Sequence, residues 1–189
     1  MPAGALAEDL ERIANAAVAH ADGGTTLTGV LPTEPRPGLR VYLCAFEAGE
    51  RRMWLALDDD GRPISDRRDV RDAVSIAALC EVAEEAAFPG DLDELRAQLV
   101  ALRVTEQPEG IEEAEAATLA LQHAVGTPPQ LASPDRLGGI GEAAMRLERA
   151  LDPTAPSQFA AAMRSASDVA DALWRDVEAS YAGGLEGIE

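Results

Sequence analysis

The chain contains no lysine, and all 16 of its basic residues are arginine. A protein Schiff base, a pyridoxal phosphate linkage and a Walker A phosphate loop each use a lysine amine, so these three kinds of chemistry are excluded. Acidic residues are abundant, and the formal net charge is −18. Because such a surface repels nucleic-acid phosphates and anionic membranes, we expect neither as a partner.

Aromatic residues are also scarce, at 4% of the chain against 47% hydrophobic residues in all. Much of the hydrophobic content is alanine, which is the strongest helix former and predicts a core of helix packed on helix. The two cysteines, Cys44 and Cys80, each lie in an apolar run, which indicates buried, reduced thiols. No apolar run approaches the roughly 20 residues of a membrane span, and the first residues lack a signal-peptide pattern, so we expect a cytoplasmic protein.

Residues suited to nucleophilic catalysis or zinc binding are few and scattered. His20 and His123 fall on separate predicted helices, and neither accompanies a cluster of cysteines. No G-x-S-x-G nucleophile elbow surrounds any serine. The sequence therefore favours a non-enzymatic protein without a cofactor, unless the glutamates described below bind a metal ion.

The spacing of apolar residues predicts an α+β fold that is mostly helical, with a small antiparallel β-hairpin or meander packed with about six helices. We expect a single domain over residues 1–189. Its predicted parts are an N-terminal helix over 5–21, a β meander over 25–65, a helical core over 69–151 and a C-terminal helix over 157–181. Within the meander the first seven residues have strand composition, and the prolines that follow predict a stiff loop at 32–38.

The clearest strand signal lies at residues 39–46, and 52–58 can pair with them across a turn that contains a glycine. The first of these strands is apolar on both faces, so both faces must be covered. We expect the helix that begins at residue 69 to cover one face. Tyr42, Phe46 and Trp54 are candidate members of the other face, which either the remaining helices or a second chain must cover.

Residues 51–72 combine six arginines with six aspartates. Arg51 and Arg52 lie beside Trp54, a composition typical of protein-interaction hot spots, and the segment could bind an acidic partner. The interleaved aspartates favour the alternative, in which the arginines form ion pairs within the segment.

Glutamates recur at helical spacing on two predicted helices. They are Glu81, Glu84, Glu85, Glu112 and Glu115. Two E-x-x-E pairs on neighbouring helices could hold Mg²⁺ and position a substrate phosphate. Over residues 81–115 this pattern resembles the MazG-like all-α nucleoside-triphosphate pyrophosphatases, and the resemblance implies a magnesium-dependent hydrolase. Glu115 stands where that family has aspartate, and a further predicted helix separates the two pairs.

The sequence supports three functional hypotheses. The first is a non-enzymatic protein-interaction or scaffold domain that self-associates, with a homodimer as the commonest closed form. The second is a magnesium-dependent hydrolase of a phosphorylated small molecule. The third is an acidic regulator that binds a basic protein.

Overall fold

A computed structural model describes residues 3–21, 24–88, 90–106, 108–126 and 130–184. Within these residues the chain forms three strands and seven helices, which confirms the predicted α+β, mostly helical fold. The elements are α1 (Ala3–His20), β1 (Thr26–Arg36), β2 (Leu39–Ala48), β3 (Arg51–Leu57), α2 (Arg67–Ala87), α3 (Leu92–Thr105), α4 (Ile111–Val125), α5 (Pro134–Leu151), α6 (Gln158–Met163) and α7 (Ala166–Gly184).

The chain divides into two compact units. Unit 1 comprises residues 1–78, 128–134 and 168–189, and unit 2 comprises residues 79–127 and 135–167. The boundary falls within α2, which contributes its first half to unit 1 and its second half to unit 2. The expectation of a single domain stays a prediction, since two units that share a helix can still unfold together.

The sheet belongs to unit 1 and has the order β1-β2-β3, with both neighbouring pairs antiparallel. Its centre is β2, so β1 and β3 are the two edges. Tight turns join the strands at Gly38 and Gly49, whose φ angles of 79° and 63° suit glycine. The predicted hairpin at 39–46 and 52–58 is therefore confirmed, and the turn between its strands contains the expected glycine.

The stiff loop predicted at residues 32–38 is wrong, because β1 continues through two prolines to Arg36. Proline is tolerated there because β1 is an edge strand, and its pairing with β2 is irregular between Thr33 and Arg36. The outer side of β1 is also covered. Ala132 donates its N–H to the carbonyl of Pro32 at 2.9 Å and accepts from the N–H of Glu34 at 2.8 Å.

Both faces of the sheet are covered within unit 1, as the hairpin pattern requires. On one face, Val41 and Leu43 pack with Ala56 and with apolar residues of α2 and α7, among them Val74 and Val177. On the other face, α1 packs its buried Ile13 and Ala17 against β2 and β3. The sheet residues beneath α1 are Tyr42, Cys44, Phe46 and Leu57.

Trp54 does not lie with Tyr42 and Phe46, and the prediction that placed the three on one face is wrong. Trp54 is the register partner of Ala45, and it packs against the cluster that contains Val41. Residues that face each other across a ladder share a face of the sheet, and successive residues of a strand alternate. Trp54 therefore belongs to the face covered by α2 and α7.

Unit 2 is a helical layer without a strand in its described residues. Its core joins the second half of α2 to α3, α4, α5 and α6 through alanines and a few larger side chains. The large buried members are Leu99, Ile111, Leu121, Ile140, Leu147 and Phe159. The alanine-rich contacts are those expected from the composition.

The C-terminal helix predicted over 157–181 is two helices, because the chain turns at Arg164 and Ser165. The Ser165 hydroxyl donates to the carbonyl of Ala162 at 2.9 Å, a local bond of the kind that competes with a continuing helix. The two helices pack in different cores, since Phe159 of α6 lies in the core of unit 2 and Val177 of α7 lies in the core of unit 1.

Both cysteines are buried and free, as the sequence predicts. Burial raises the pKa of the Cys44 thiol to about 12. Because the thiolate is the reactive form, this cysteine is unreactive near neutral pH.

Candidate functional site

The outer edge of β3 is the candidate interaction site, and we call residues 51–55 the β3 edge. The strand order leaves β3 with β2 on one side only. Beyond residue 55 its outer side is occupied, since the N–H of Ile64 donates to the carbonyl of Ala56 at 2.9 Å and Leu57 bridges Pro63. Along the β3 edge itself, the described part of the chain supplies no further strand.

The bond from Ile64 shows which main-chain groups point outward. In an extended strand the N–H and C=O of one residue point to the same side, and the side alternates along the chain. Since the Ala56 carbonyl points outward, those of Arg52 and Trp54 do too, together with their N–H groups. Met53 and Leu55 direct theirs inward to β2. The β3 edge therefore offers two donors and two acceptors to an added strand.

The β3 edge begins with three exposed side chains, of which two are positively charged. Arg51 and Arg52 are both exposed, and neither forms an ion pair with any residue in the described ranges. Glu47 is the register partner of Arg52, yet no ion pair joins them. Met53 is 37% exposed, and the half-buried Trp54 has an indole N–H without a hydrogen-bond partner among the described groups.

The other arginines of segment 51–72 show where ion pairing does occur. Only Arg62 pairs within the segment, with Asp60 at 3.1 Å. Arg67 and Arg71 pair instead with acidic residues of α7, at 3.6 Å and 3.9 Å, and Arg71 also lies over the Trp174 ring. The internal pairing that the interleaved aspartates favour therefore accounts for one of the six arginines, and Arg51, Arg52 and Arg68 form no ion pair with a described residue.

Tyr42 and Phe46, the other two residues of the predicted interaction site, are not at this edge. Both are buried beneath α1, and the Tyr42 hydroxyl donates to a carboxylate oxygen of Asp59 at 3.1 Å. Burial, reinforced by the negative charge of Asp59, raises the pKa of Tyr42 above its usual value. Arg40 lies 4.0 Å from the same carboxylate. Together these contacts fasten the turn after β3 to the sheet.

The five candidate magnesium ligands are placed in unit 2. Glu81, Glu85 and Glu112 are exposed. Glu84 pairs with Arg136 at 2.7 Å, and Glu115 pairs with Arg103 at 3.2 Å. No group of three or more histidine, cysteine or acidic side chains suited to a metal ion occurs among the residues that the structure describes. Two of the five carboxylates thus have arginine partners.

Comparison of the chain with protein families, with curated proteins and with solved structures found no match. In the described ranges, no helix combines the length and the apolar character needed to cross a membrane.

Sequence reasoning found Arg51, Arg52 and Trp54 but missed the main-chain groups between them. A signal for those groups exists in the sequence, because the last strand of a three-stranded meander is an edge. Which of its amides point outward depends on the bond between Ile64 and Ala56, and no local pattern predicts that bond.

Proposed function

We propose that this chain is a protein-interaction domain, and that a partner binds by adding a strand along the β3 edge. The observation that carries the proposal is the outward-facing N–H and C=O groups of Arg52 and Trp54 on a strand paired on one side only. Strand addition satisfies such groups, while the side chains of the edge select the partner.

The contrast between the two edges of the sheet supports this proposal. The outer side of β1 carries two prolines and is bonded on both sides of Thr33 by Ala132. Proline, charged side chains and covering segments are the usual means of blocking an edge. The β3 edge has no proline and no covering segment, and its two arginines lie beside Met53 and Trp54, so its charge selects among partners. The fold thus closes one edge and leaves the other accessible.

A homodimer is the second candidate, at a site other than the one first expected. The expected reason, an apolar sheet face without cover, does not apply, because α1 covers the face with Tyr42 and Phe46. Antiparallel pairing of two β3 edges around Met53 would instead place Arg52 of one copy opposite Trp54 of the other, where a guanidinium can interact with an indole ring. The charge of −18 on each chain opposes this association, so it should strengthen as salt is added.

Two further hypotheses stay predictions with their own tests. A magnesium-dependent hydrolase should bind Mg²⁺, and substituting Glu81 with glutamine should weaken that binding in a calorimetric titration. An acidic regulator should capture basic proteins, and added salt should release them.

The experiment that tests strand addition uses Arg52→Pro with Arg52→Thr as its matched control. Proline removes the outward N–H at this position but no bond to β2, whereas threonine removes the charge and keeps the N–H. We expect partners captured by the native chain from its source lysate to be retained in part by Arg52→Thr and lost by Arg52→Pro. A retained partner should slow the hydrogen exchange of the backbone amides of Arg52 and Trp54 and leave the exchange rate of the Met53 amide unchanged.

Both variants must unfold at the same temperature as the native chain, so that a loss of binding cannot come from a loss of fold. If Arg52→Pro retains every partner that Arg52→Thr retains, and the outward amides exchange at the same rate with and without them, strand addition at β3 is wrong.

A further inference from the structure

The two arginines of the β3 edge form no ion pair among the described residues, although Glu47 is the register partner of Arg52. The ion pairs that arginines of segment 51–72 do form use carboxylates in the turn after β3 or on α7, and none of them involves Arg51 or Arg52. Arg51 and Arg52 are adjacent and exposed, so two positive charges lie side by side at this edge without an ion pair among the described residues. Both residues lie on the edge strand, so the side chains of an added strand would be their cross-strand neighbours.

We infer that the strand added to the β3 edge is an extended acidic segment of another protein, with two adjacent carboxylates opposite Arg51 and Arg52. This inference rests on the proposed function and specifies its partner. Successive residues of a strand point to opposite faces, so Arg51 and Arg52 flank the edge from both faces of the sheet. Two adjacent acidic residues on the added strand would also point to opposite faces, and each would meet one arginine.

The remaining residues of the edge define the rest of the partner. Met53 and Leu55 lie on the α1 face and Trp54 on the opposite face, so apolar or β-branched residues suit the three positions across from them. An antiparallel partner therefore has the pattern apolar, β-branched, apolar, acidic, acidic. A parallel partner has the reverse order. The pattern is short enough to test with peptides.

A second copy of this chain fits the edge less well than an acidic strand. Antiparallel self-pairing around Met53 places Leu55 opposite Arg51 and Trp54 opposite Arg52, so neither arginine would face a carboxylate of the second copy. The acidic character of the whole chain does not prevent binding of an acidic strand, since at physiological ionic strength charges beyond about 8 Å are largely screened. The nearest acidic group in register is Glu47 on β2.

The test uses the full chain and two blocked, fluorescent peptides. One contains Val-Thr-Val-Glu-Glu and the other Val-Thr-Val-Gln-Gln, and the reversed sequences determine the strand direction. We expect the glutamate peptide to bind more tightly than the glutamine peptide at low salt, with the difference disappearing near 1 M salt, where the screening length is about 3 Å. Arg51→Gln and Arg52→Gln should each weaken binding about threefold, as expected for a surface ion pair. Arg68→Gln is the control, since Arg68 is an exposed arginine of unit 1 that lies outside β3.

The outcomes separate this inference from the proposed function. If both peptides bind equally and protect the amides of Arg52 and Trp54, strand addition is supported and the acidic partner is wrong. If neither peptide binds and the chain dimerises more strongly in salt with those amides protected, the partner is a second copy and the inference is overturned. If no peptide, lysate protein or second copy protects the outward amides, the proposed function itself is wrong.

Discussion

Replacing Gly61 with alanine should destabilise unit 1 by about 2–5 kcal/mol, for two separable reasons. Gly61 has a φ of 77°, which costs an alanine about 1–2 kcal/mol. A Cβ built at Gly61 would also lie 2.7 Å from the Cβ of Ala16 on α1, well inside van der Waals contact, and overpacking of this kind costs about 1–3 kcal/mol. The second cost arises only if α1 packs over the turn that follows β3.

Gly38→Ala is the matched control, since Gly38 has a φ of 79° and no atom lies within 4 Å of the Cβ position there. Thermal unfolding followed by circular dichroism should give Gly61→Ala a midpoint temperature about 3 °C or more below that of Gly38→Ala. In a chain of this size each kcal/mol lowers the midpoint by roughly 3 °C. In the Gly61→Ala background, Ala16→Gly should cost less than in the native chain, where a helical glycine costs about 1 kcal/mol. Equal midpoints for the two glycine variants would show that α1 does not cover this part of the sheet.

Two further predictions concern buried polar contacts. Arg136 is 13% exposed, pairs with Glu84 and donates to two carbonyls at the end of α4. Arg136→Gln should therefore lower the free energy of unfolding in urea by about 2 kcal/mol, whereas Arg146→Gln, which breaks an exposed ion pair, should lower it by less than about 1 kcal/mol. Equal losses for the two variants would contradict a role of Arg136 in capping α4. Because burial raises the pKa of Tyr42, the stability that its neutral form contributes is present below about pH 10 and is lost as the pH rises further. Tyr42→Phe should lower the free energy of unfolding by about 1 kcal/mol at neutral pH, because the hydrogen bond to Asp59 is lost. Above about pH 10 the difference in stability between the variant and the native chain should become smaller. Unfolding midpoints measured from neutral to alkaline pH check this, and parallel curves for the two proteins would contradict it.

The hairpin and most helices could be predicted because their signals are local. Asp91, for example, caps α3 by accepting from the amides of Asp93 and Glu94, as its place before an apolar stripe indicates. The continuous apolar run in β2 predicted two covered faces, and both are covered. These patterns are written in neighbouring residues, so a single sequence suffices to find them.

The misplaced elements depend on contacts between residues far apart in the chain. The prolines of β1 resemble a loop until the strand is known to be an edge paired with Ala132. Trp54 lies on the face opposite to the predicted one, because the turn at Gly49 sets the register of β3 against β2. The same distinction applies to the candidate site. The charge of Arg51 and Arg52 can be read from the sequence, whereas their lack of ion pairs depends on the fold.

The division of the chain also fixes the order in which its parts can be completed during synthesis. Unit 2 is built from two segments that end at residue 167, whereas unit 1 needs the first strands, the short segment around Ala132 and finally α7. A ribosome therefore releases all of unit 2 before it releases Val177, which covers the sheet face that contains Val41 and Leu43. Until then the N-terminal sheet is present with part of that face bare, and incomplete apolar surfaces of this kind are where nascent chains aggregate or meet chaperones. The strands of unit 1 are thus synthesised before unit 2, but one face of their sheet is fully covered only after unit 2 has been synthesised.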